Sequence, residues 1–333
     1  MSGRLKPFKN QTIEQIRRFD LRPGPRNVQD FHLCCKPLSD SGRTVPPTIP
    51  IADPDDPRIA TYRHVREPDL VCRTGRFIAE GEVVLRVLLT ASRHGAESLL
   101  IADQRLAALA PLLARVPDDV PIYVAGQKVL DAVAGFPLHR GILALGRRAP
   151  MPSAEELLAG LGPRALVAAL IGIGNHDNVG GIFRNAAAFG ADAVILDAES
   201  CDPLYRKAIR VSVGASLMVP FARLGHGTDV VALLAAQSFE PVALSPAGKI
   251  PLAQLARPPR AAILMGAEGS GLPAKVLARA RTVRIPMADG FDSLNVATAS
   301  GIVLHHLADL AQEERASSLF AQSVPPEGTR SEP

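Results

Sequence analysis

A chain of 333 residues and 35.3 kDa exceeds one ordinary domain and suits about two at roughly 150 residues each. With 47% hydrophobic and 21% charged residues it has a globular composition, which excludes global disorder. Net charge is +4, but residues 1–43 hold nine Lys or Arg against four acids, so the rest of the chain is close to neutral.

No apolar run reaches the about 18 to 20 residues that a membrane span requires, the longest lying around Ala165 to Gly174. No signal peptide opens the sequence, and the expectation is a soluble, cytoplasmic protein with no membrane association. Four cysteines, Cys34, Cys35, Cys72 and Cys201, form no C-x-x-C pair and no zinc-type cluster, so neither a disulfide framework nor a structural metal is expected.

Nine of the 29 prolines precede residue 58, and residues 1–57 read as a basic, Pro-rich, poorly ordered extension with one short helix near Thr12 to Phe19. A solvated tail and an auxiliary RNA-contacting arm are equally good readings of it. Residues 58–149 alternate helical and strand-like patterns: Glu82 to Ala91 and Arg105 to Leu113 as helices, Ser98 to Ala102, Ile122 to Val124 and Ile142 to Leu145 as strands. This predicts a small α/β domain. Residues 150–163, proline-bearing with a helical segment Ala154 to Ala159, read as a linker.

From residue 164 to 313, apolar strand candidates Ala165 to Ile173, Ala191 to Asp197, Leu217 to Ala222, Val242 to Ser245, Ala261 to Met265 and Thr282 to Ile285 alternate with helical stretches. A parallel sheet with covering helices follows. A last helix runs from Leu294 to about Glu313, and residues 314–333 are expected to be a disordered tail.

In open parallel sheets ligands bind where strands end in loops. Three such junctions carry unusual chemistry. The first runs Gly172-Ile-Gly-Asn-His-Asp-Asn178 and on to Arg184 and Asn185, with Asn178 placed to cap a helix. As a dinucleotide fingerprint it fails, because Asp177 stands where the third Gly belongs. The second, Leu264-Met265-Gly266-Ala-Glu268-Gly269-Ser-Gly271, combines glycines that let a ligand approach the backbone with a single carboxylate. The third runs from Ile285 through Met287 to Ser293-Leu294-Asn295-Val296-Ala297, with Ser293 suited to cap the closing helix. Taken singly, each is more often a simple cap, turn or ion pair.

Together, their order and spacing resemble motifs one, two and three of the SpoU (TrmH) branch of the SPOUT methyltransferases, over most of residues 165 to 313. Asn178, Arg184, Glu268, Ser293 and Asn295 fall on the family's characteristic positions. The first domain resembles the ribosomal-protein-like RNA-binding domain of many members through Phe77-Ile-Ala-Glu80-Gly81 and His139-Arg140-Gly141. The resemblance implies an α/β fold with a C-terminal trefoil knot, a homodimer built through the SPOUT domain, and S-adenosylmethionine-dependent methylation of a ribose 2′-hydroxyl in tRNA or rRNA.

It further implies that Leu264, Met265, Gly266, Glu268, Gly269, Gly271, Ile285, Met287, Leu294, Val296 and Ala297, with Ser245 at a preceding strand end, line the cofactor. A sulfonium is already an activated electrophile, so the reaction requires no metal. The ribose hydroxyl is the weak partner and must lose its proton. Arg184 takes the role of activating it. A guanidinium does not ordinarily accept a proton, so stabilisation of the developing alkoxide is the preferred role, with general base left open. Asn178, Ser293 and Asn295 would position ribose, phosphate or Arg184, and Glu268 would orient Arg184 or another group of the site.

Glu80, His139 and Arg140 are candidate RNA contacts, although a turn before the strand at Ile142 explains His139 to Gly141 equally well. The competing reading is a catalytically silent relative that holds RNA or ribosomal particles. A nucleotide-dependent oxidoreductase is disfavoured by the broken glycine pattern.

Overall fold

The computed structural model describes residues 44–63 and 68–308. The expected helix near Thr12 to Phe19, most of the basic extension and the tail lie outside the described residues. Two sheets make up the fold. The first has strands β1 (Thr48–Ile51), β2 (Arg76–Glu80), β3 (Gly95–Ala102), β4 (Ile122–Ala125) and β5 (Ile142–Arg147), in the order β1-β4-β3-β5-β2. β5 runs antiparallel to both its neighbours, and the remaining pairs are parallel. Helices Glu82–Thr90, Leu106–Leu113 and Gln127–Ala134 cover it.

The second sheet is fully parallel: β6 (Ala165–Ile171), β7 (Ala193–Leu196), β8 (Phe221–Arg223), β9 (Glu240–Leu244), β10 (Ile250–Pro251), β11 (Arg260–Gly266) and β12 (Arg281–Arg284), in the order β10-β12-β9-β11-β6-β7-β8. β6 and β11 occupy its middle and are buried along almost their whole length. Such two-faced burial is why they read as continuous apolar runs rather than alternating ones.

Three departures from the sequence reading have plain causes. The prolines before residue 58 suggest disorder, yet Thr48–Ile51 pairs with β4; proline is tolerated there because β1 is an edge strand that needs only one row of ladder bonds. The segment expected as a linker belongs to the second sheet's packing. Its helix, Ala154–Ala159, opens with a capping box between Ser153 and Glu156 and buries Ala154, Leu157 and Leu158. The Arg260 guanidinium holds its end through the Leu158 and Leu161 carbonyls at 2.9 Å. Finally, the strand expected at Leu217 to Ala222 is confined to Phe221–Arg223, because a single 3-10 turn at Ala215–Leu217 and Pro220 precede it.

The two sheets share one continuous hydrophobic core, with Phe77, Val87 and Leu88 of the first joined to Ile209, Leu217 and Val219 of the second. Polar bonds cross the same seam. Arg206 Nε donates to Glu80 Oε2 at 3.0 Å and Arg148 to Asp202 Oδ2 at 2.6 Å, both carboxylates being nearly inaccessible. The Arg93 amide donates to the Leu217 carbonyl at 2.9 Å.

His94 lies buried beside this seam, its ring edge on Phe77 and its Nδ1 accepting from the Ala149 amide at 3.2 Å. Burial, together with Arg148 and Arg93, pushes its imidazole down to about 4. The folded state therefore prefers the neutral ring, and its contribution is complete above the unfolded value near 6.5 and lost as pH falls toward 4. The thermal midpoint should drop across that window by an amount equivalent to a few kcal/mol. In His94→Gln the same scan should be flatter; an equal slope in both proteins excludes His94 as its source.

Candidate active site

The carboxyl ends of β6, β11, β9 and β12 stand side by side, and the three unusual loops leave from three of them. After β6, Gly172 takes a positive φ of 70° and the chain turns into the helix His176–Ala188. The cap of that helix is Asn175, whose side chain accepts from the Asp177 amide at 2.8 Å. The expected cap, Asn178, lies instead within the first turn and is buried, 3% exposed. One turn of loop shifts the boundary by three residues and frees the Asn178 amide for other partners.

Those partners are the other two loops. Asn178 Nδ2 donates to Glu268 Oε1 at 2.8 Å, and Asn295 Nδ2 donates to the same oxygen at 3.0 Å and to Asn178 Oδ1 at 2.9 Å. Asn295 Oδ1 in turn accepts from the amides of Ala297 and Thr298. It is therefore Asn295, and not Ser293, that caps the last helix, which spans 296–308 in the described residues. Ser293 is exposed and donates to Asp292 at 3.1 Å, outside the network.

β12 is separated from β11 by β9, so the 285–295 segment must pass over the ends of β9 and β11 to reach Asn178. The last helix then lies on the His176–Ala188 helix. A Cβ at Gly181 would stand 2.7 Å from Ala297 Cβ, and Asn185 Nδ2 donates to the Ala297 carbonyl at 2.7 Å and to Ser300 Oγ at 2.9 Å. Gly181 and Ser300 are not among the site residues expected from the sequence, and Asn185 is named there only as the end of the first junction. Their signal is spacing: Asn178, Gly181 and Asn185 fall at i, i+3 and i+7, one face of a helix.

Arg184 sits next to that face, exposed, and among the described residues no hydrogen bond or ion pair engages it. Glu268 does not orient it, because the carboxylate takes the two asparagines. Its guanidinium is left available to a ligand.

The expected cofactor residues divide by depth. Leu264 and Met265 are in the core, so only their backbone can meet a ligand. Gly266 ends β11, and a Cβ there would stand 2.3 Å from the Gly271 backbone, so the turn closes only over glycine. Gly269 and Gly271 have positive φ and open space where a Cβ would stand. Ile285, Val296 and Ala297 pack partly buried against the core, Met287 is half-buried, and Leu294 is 39% exposed. Ser245 directly follows β9, its amide bonded to the Val283 carbonyl at 3.0 Å. Backbone-lined, apolar and sited on three neighbouring strand ends, this set suits a small molecule with an apolar ring and polar edges.

Glu80 is 6% exposed and engaged by Arg206 and Arg210, whereas His139 and Arg140 are exposed at the turn before β5.

Fold and site define a two-sheet α/β protein whose candidate site lies at the strand ends of the second, parallel sheet. The SpoU rRNA methylase family model matches residues 165–305. Over 264 residues the chain is 43% identical to the uncharacterized tRNA/rRNA methyltransferase Mb0905 of Mycobacterium bovis, covering 77% of this chain and 90% of that one. It is 31% identical over 208 residues to the 23S rRNA (guanosine-2'-O-)-methyltransferase RlmB of Acinetobacter baylyi, covering 61% of this chain and 83% of the relative. Among solved structures, an AdoMet-bound rRNA methyltransferase from Sinorhizobium meliloti is similar with a TM-score of 0.67 at 23% identity, over 79% of this chain and 98% of that one. At that identity the likeness shows the fold. The chain belongs to the SpoU methylase family.

The network gives a stability prediction. Glu268→Gln keeps an oxygen for both asparagine amides and should cost under about 1 kcal/mol, whereas Glu268→Ala leaves the buried Asn178 amide without its acceptor and should cost about 1–3 kcal/mol. Urea unfolding of the two variants measures both; equal losses would show that the carboxylate oxygen is not what holds the loops.

Proposed function

We propose that this protein transfers a methyl group from S-adenosylmethionine to a ribose 2′-hydroxyl in ribosomal or transfer RNA. The observation that carries the reading is the hydrogen-bonded meeting of Asn178, Glu268 and Asn295 from three strand-end loops beside an unengaged Arg184. Family membership and a relative named as a guanosine 2′-O-methyltransferase support the choice of acceptor.

S-adenosylmethionine supplies, when bound, an electrophilic methyl on a sulfonium. The residues that fit it are the Gly266 to Gly271 turn, Ser245, Ile285, Met287 and Leu294, with the backbone of Leu264, Met265, Val296 and Ala297 beneath. The chain's own work falls on the hydroxyl. Arg184 stabilises the developing alkoxide while a phosphate of the substrate takes the proton, because a positive charge lowers the cost of charge developing on oxygen. Asn178, Glu268 and Asn295 hold the loops in one geometry, a positioning role. Ser293, on the exposed rim, is placed to meet ribose or phosphate.

The same reading includes the trefoil knot, supported by the tight backbone crossing at Gly248, where a Cβ would lie 2.4 Å from Val283. It includes a cytoplasmic location and a homodimer, the dimer supported by the apolar Phe291, Leu294 and Ile302, each 39% exposed or more on the last loop and helix.

The test is mass spectrometry of nucleosides from RNA of a deletion strain, before and after incubation with purified protein and S-adenosylmethionine. Wild type should restore a 2′-O-methyl nucleoside, and Arg184→Ala should lose at least about 100-fold in rate, the scale of one transition-state charge contact. Cofactor affinity and melting temperature should stay within error. Cofactor binding with no methylated nucleoside in any fraction would favour a silent RNA-binding relative.

A further inference from the structure

The parallel ladder between β6 and β7 ends at Leu170 and Leu196, yet the β6 chain runs on through Gly172 and Ile173 toward the strand-end site. The acceptors for those two amides are side chains of the turn after β7. Gly172 N donates to Asp197 Oδ2 at 2.9 Å, and Ile173 N donates to Ser200 Oγ at 3.0 Å. Ser200 in turn donates its amide and its hydroxyl to Asp197 Oδ1, at 2.9 and 2.7 Å. The Cys201 amide closes the bracket by donating to the Ile173 carbonyl at 3.0 Å.

Ser200 is buried, 2% exposed, and the donors on the Asp197 carboxylate are backbone amides and a hydroxyl rather than an arginine or lysine. A carboxylate used this way fixes backbone direction, because charge-assisted bonds from amides are short and directional. Arg223, at the end of β8, braces the same turn: its Nη2 donates to the Ser200 carbonyl at 2.8 Å and to the Ala198 carbonyl at 3.3 Å.

The backbone so held is the one on which the site depends. Gly172 has a φ of 70°, and a Cβ there would lie 3.5 Å from the Cβ of Ala267, the residue before Glu268. Gly172 therefore touches both the Asp197 carboxylate and the turn that carries Glu268. Three residues on, Asn175 caps the helix His176–Ala188; Asn178 in its first turn donates to Glu268 at 2.8 Å, and Arg184 rides on the same helix. A shift of Gly172 and Ile173 against β11 draws Asn178 away from Glu268 and carries Arg184 with it.

We propose that Asp197 and Ser200 are positioning residues for methyl transfer, fixing the Gly172-Ile173 turn so that the helix His176–Ala188 delivers Arg184 to the ribose hydroxyl in one geometry. The assignment rests on the RNA-methyltransferase reading above and deepens it by two residues that act only through the backbone of others. A displaced Arg184 keeps its charge but misses the developing alkoxide, so the loss falls on kcat and not on RNA binding.

The experiment uses the full-length protein with total RNA from a deletion strain and the variant Asp197→Asn, made in the wild-type and in the Arg184→Ala background. Asparagine puts an NH2 where one carboxylate oxygen stood, so either the Gly172 amide or Ser200 loses its acceptor. In the wild-type background kcat should fall about tenfold or more while the KM for RNA stays within about twofold. In the Arg184→Ala background the same substitution should cost less than about twofold, because a residue that acts through Arg184 has nothing left to place. Deuterium exchange over residues 172–178 should quicken in Asp197→Asn, with the peptides of β3 and β5 keeping wild-type rates. An unchanged kcat despite faster exchange, or the same loss in both backgrounds, would overturn the assignment. If Asp197→Asn does not fold, Ser200→Ala, which removes the Ile173 acceptor and leaves the Asp197 to Gly172 bond, is measured in its place with the same outcomes. Should wild type methylate no RNA, the catalytic reading fails by itself, whereas wild-type exchange over 172–178 in the variant overturns the bracket whether or not RNA is methylated.

Discussion

The meeting of Asn178, Glu268 and Asn295 on one shared carboxylate oxygen is the constraint around which the second sheet is organised. Three polar groups separated by 90 and 27 positions can meet only if the loops after β6, β11 and β12 converge, and this requires the strand order that the sheet adopts. The cost of leaving a buried amide unpaired makes the arrangement specific, since Asn178 is nearly inaccessible and has no water to fall back on. The network fixes the loops, and the loops define the space for a ligand. Arg184, one residue before Asn185 on the same helix, is carried to the edge of that space with its charge uncommitted.

A second set of buried charges holds the first sheet over the second. Glu80 and Asp202 each receive arginines across the seam, and a partnered buried carboxylate is costly to separate, because parting it would leave a charge in a poorly solvated place. Together with the continuous apolar core, these pairs make the two sheets one packed body rather than beads on a linker. The helix Arg206–Val211, through the bond from Lys207 to Asp177, ties this seam to the first turn of the helix His176–Ala188.

Much of the fold is legible where burial is two-sided. The strands Ala165–Ile171 and Arg260–Gly266 are buried through their length and show as apolar runs, and Ala154–Ala159 is marked as a helix by its own sequence. Where one-sided pairing or a single turn decides, the pattern misleads. Thr48–Ile51 is hidden among prolines because an edge strand imposes few rules on its outer side, and the two caps fall on Asn175 and Asn295 because either end of a polar loop can supply an acceptor.

The same division holds for the site. Residue types in order along the chain, glycines in a turn, an asparagine before a helical face, a carboxylate between glycines, are enough to name the loops and the chemistry they resemble, because those types are dictated locally by backbone conformation and by the groups available for hydrogen bonding. Which side chain meets which is not local. That Glu268 holds Asn178 and Asn295 rather than Arg184, that Ser293 stays on the rim, and that Glu80 anchors the seam depend on the crossing of the 285–295 segment over two strand ends and on the packing of one sheet against the other. Hydrogen bonds and ion pairs act over about 3 Å, and only the tertiary structure brings residues far apart in sequence to that distance.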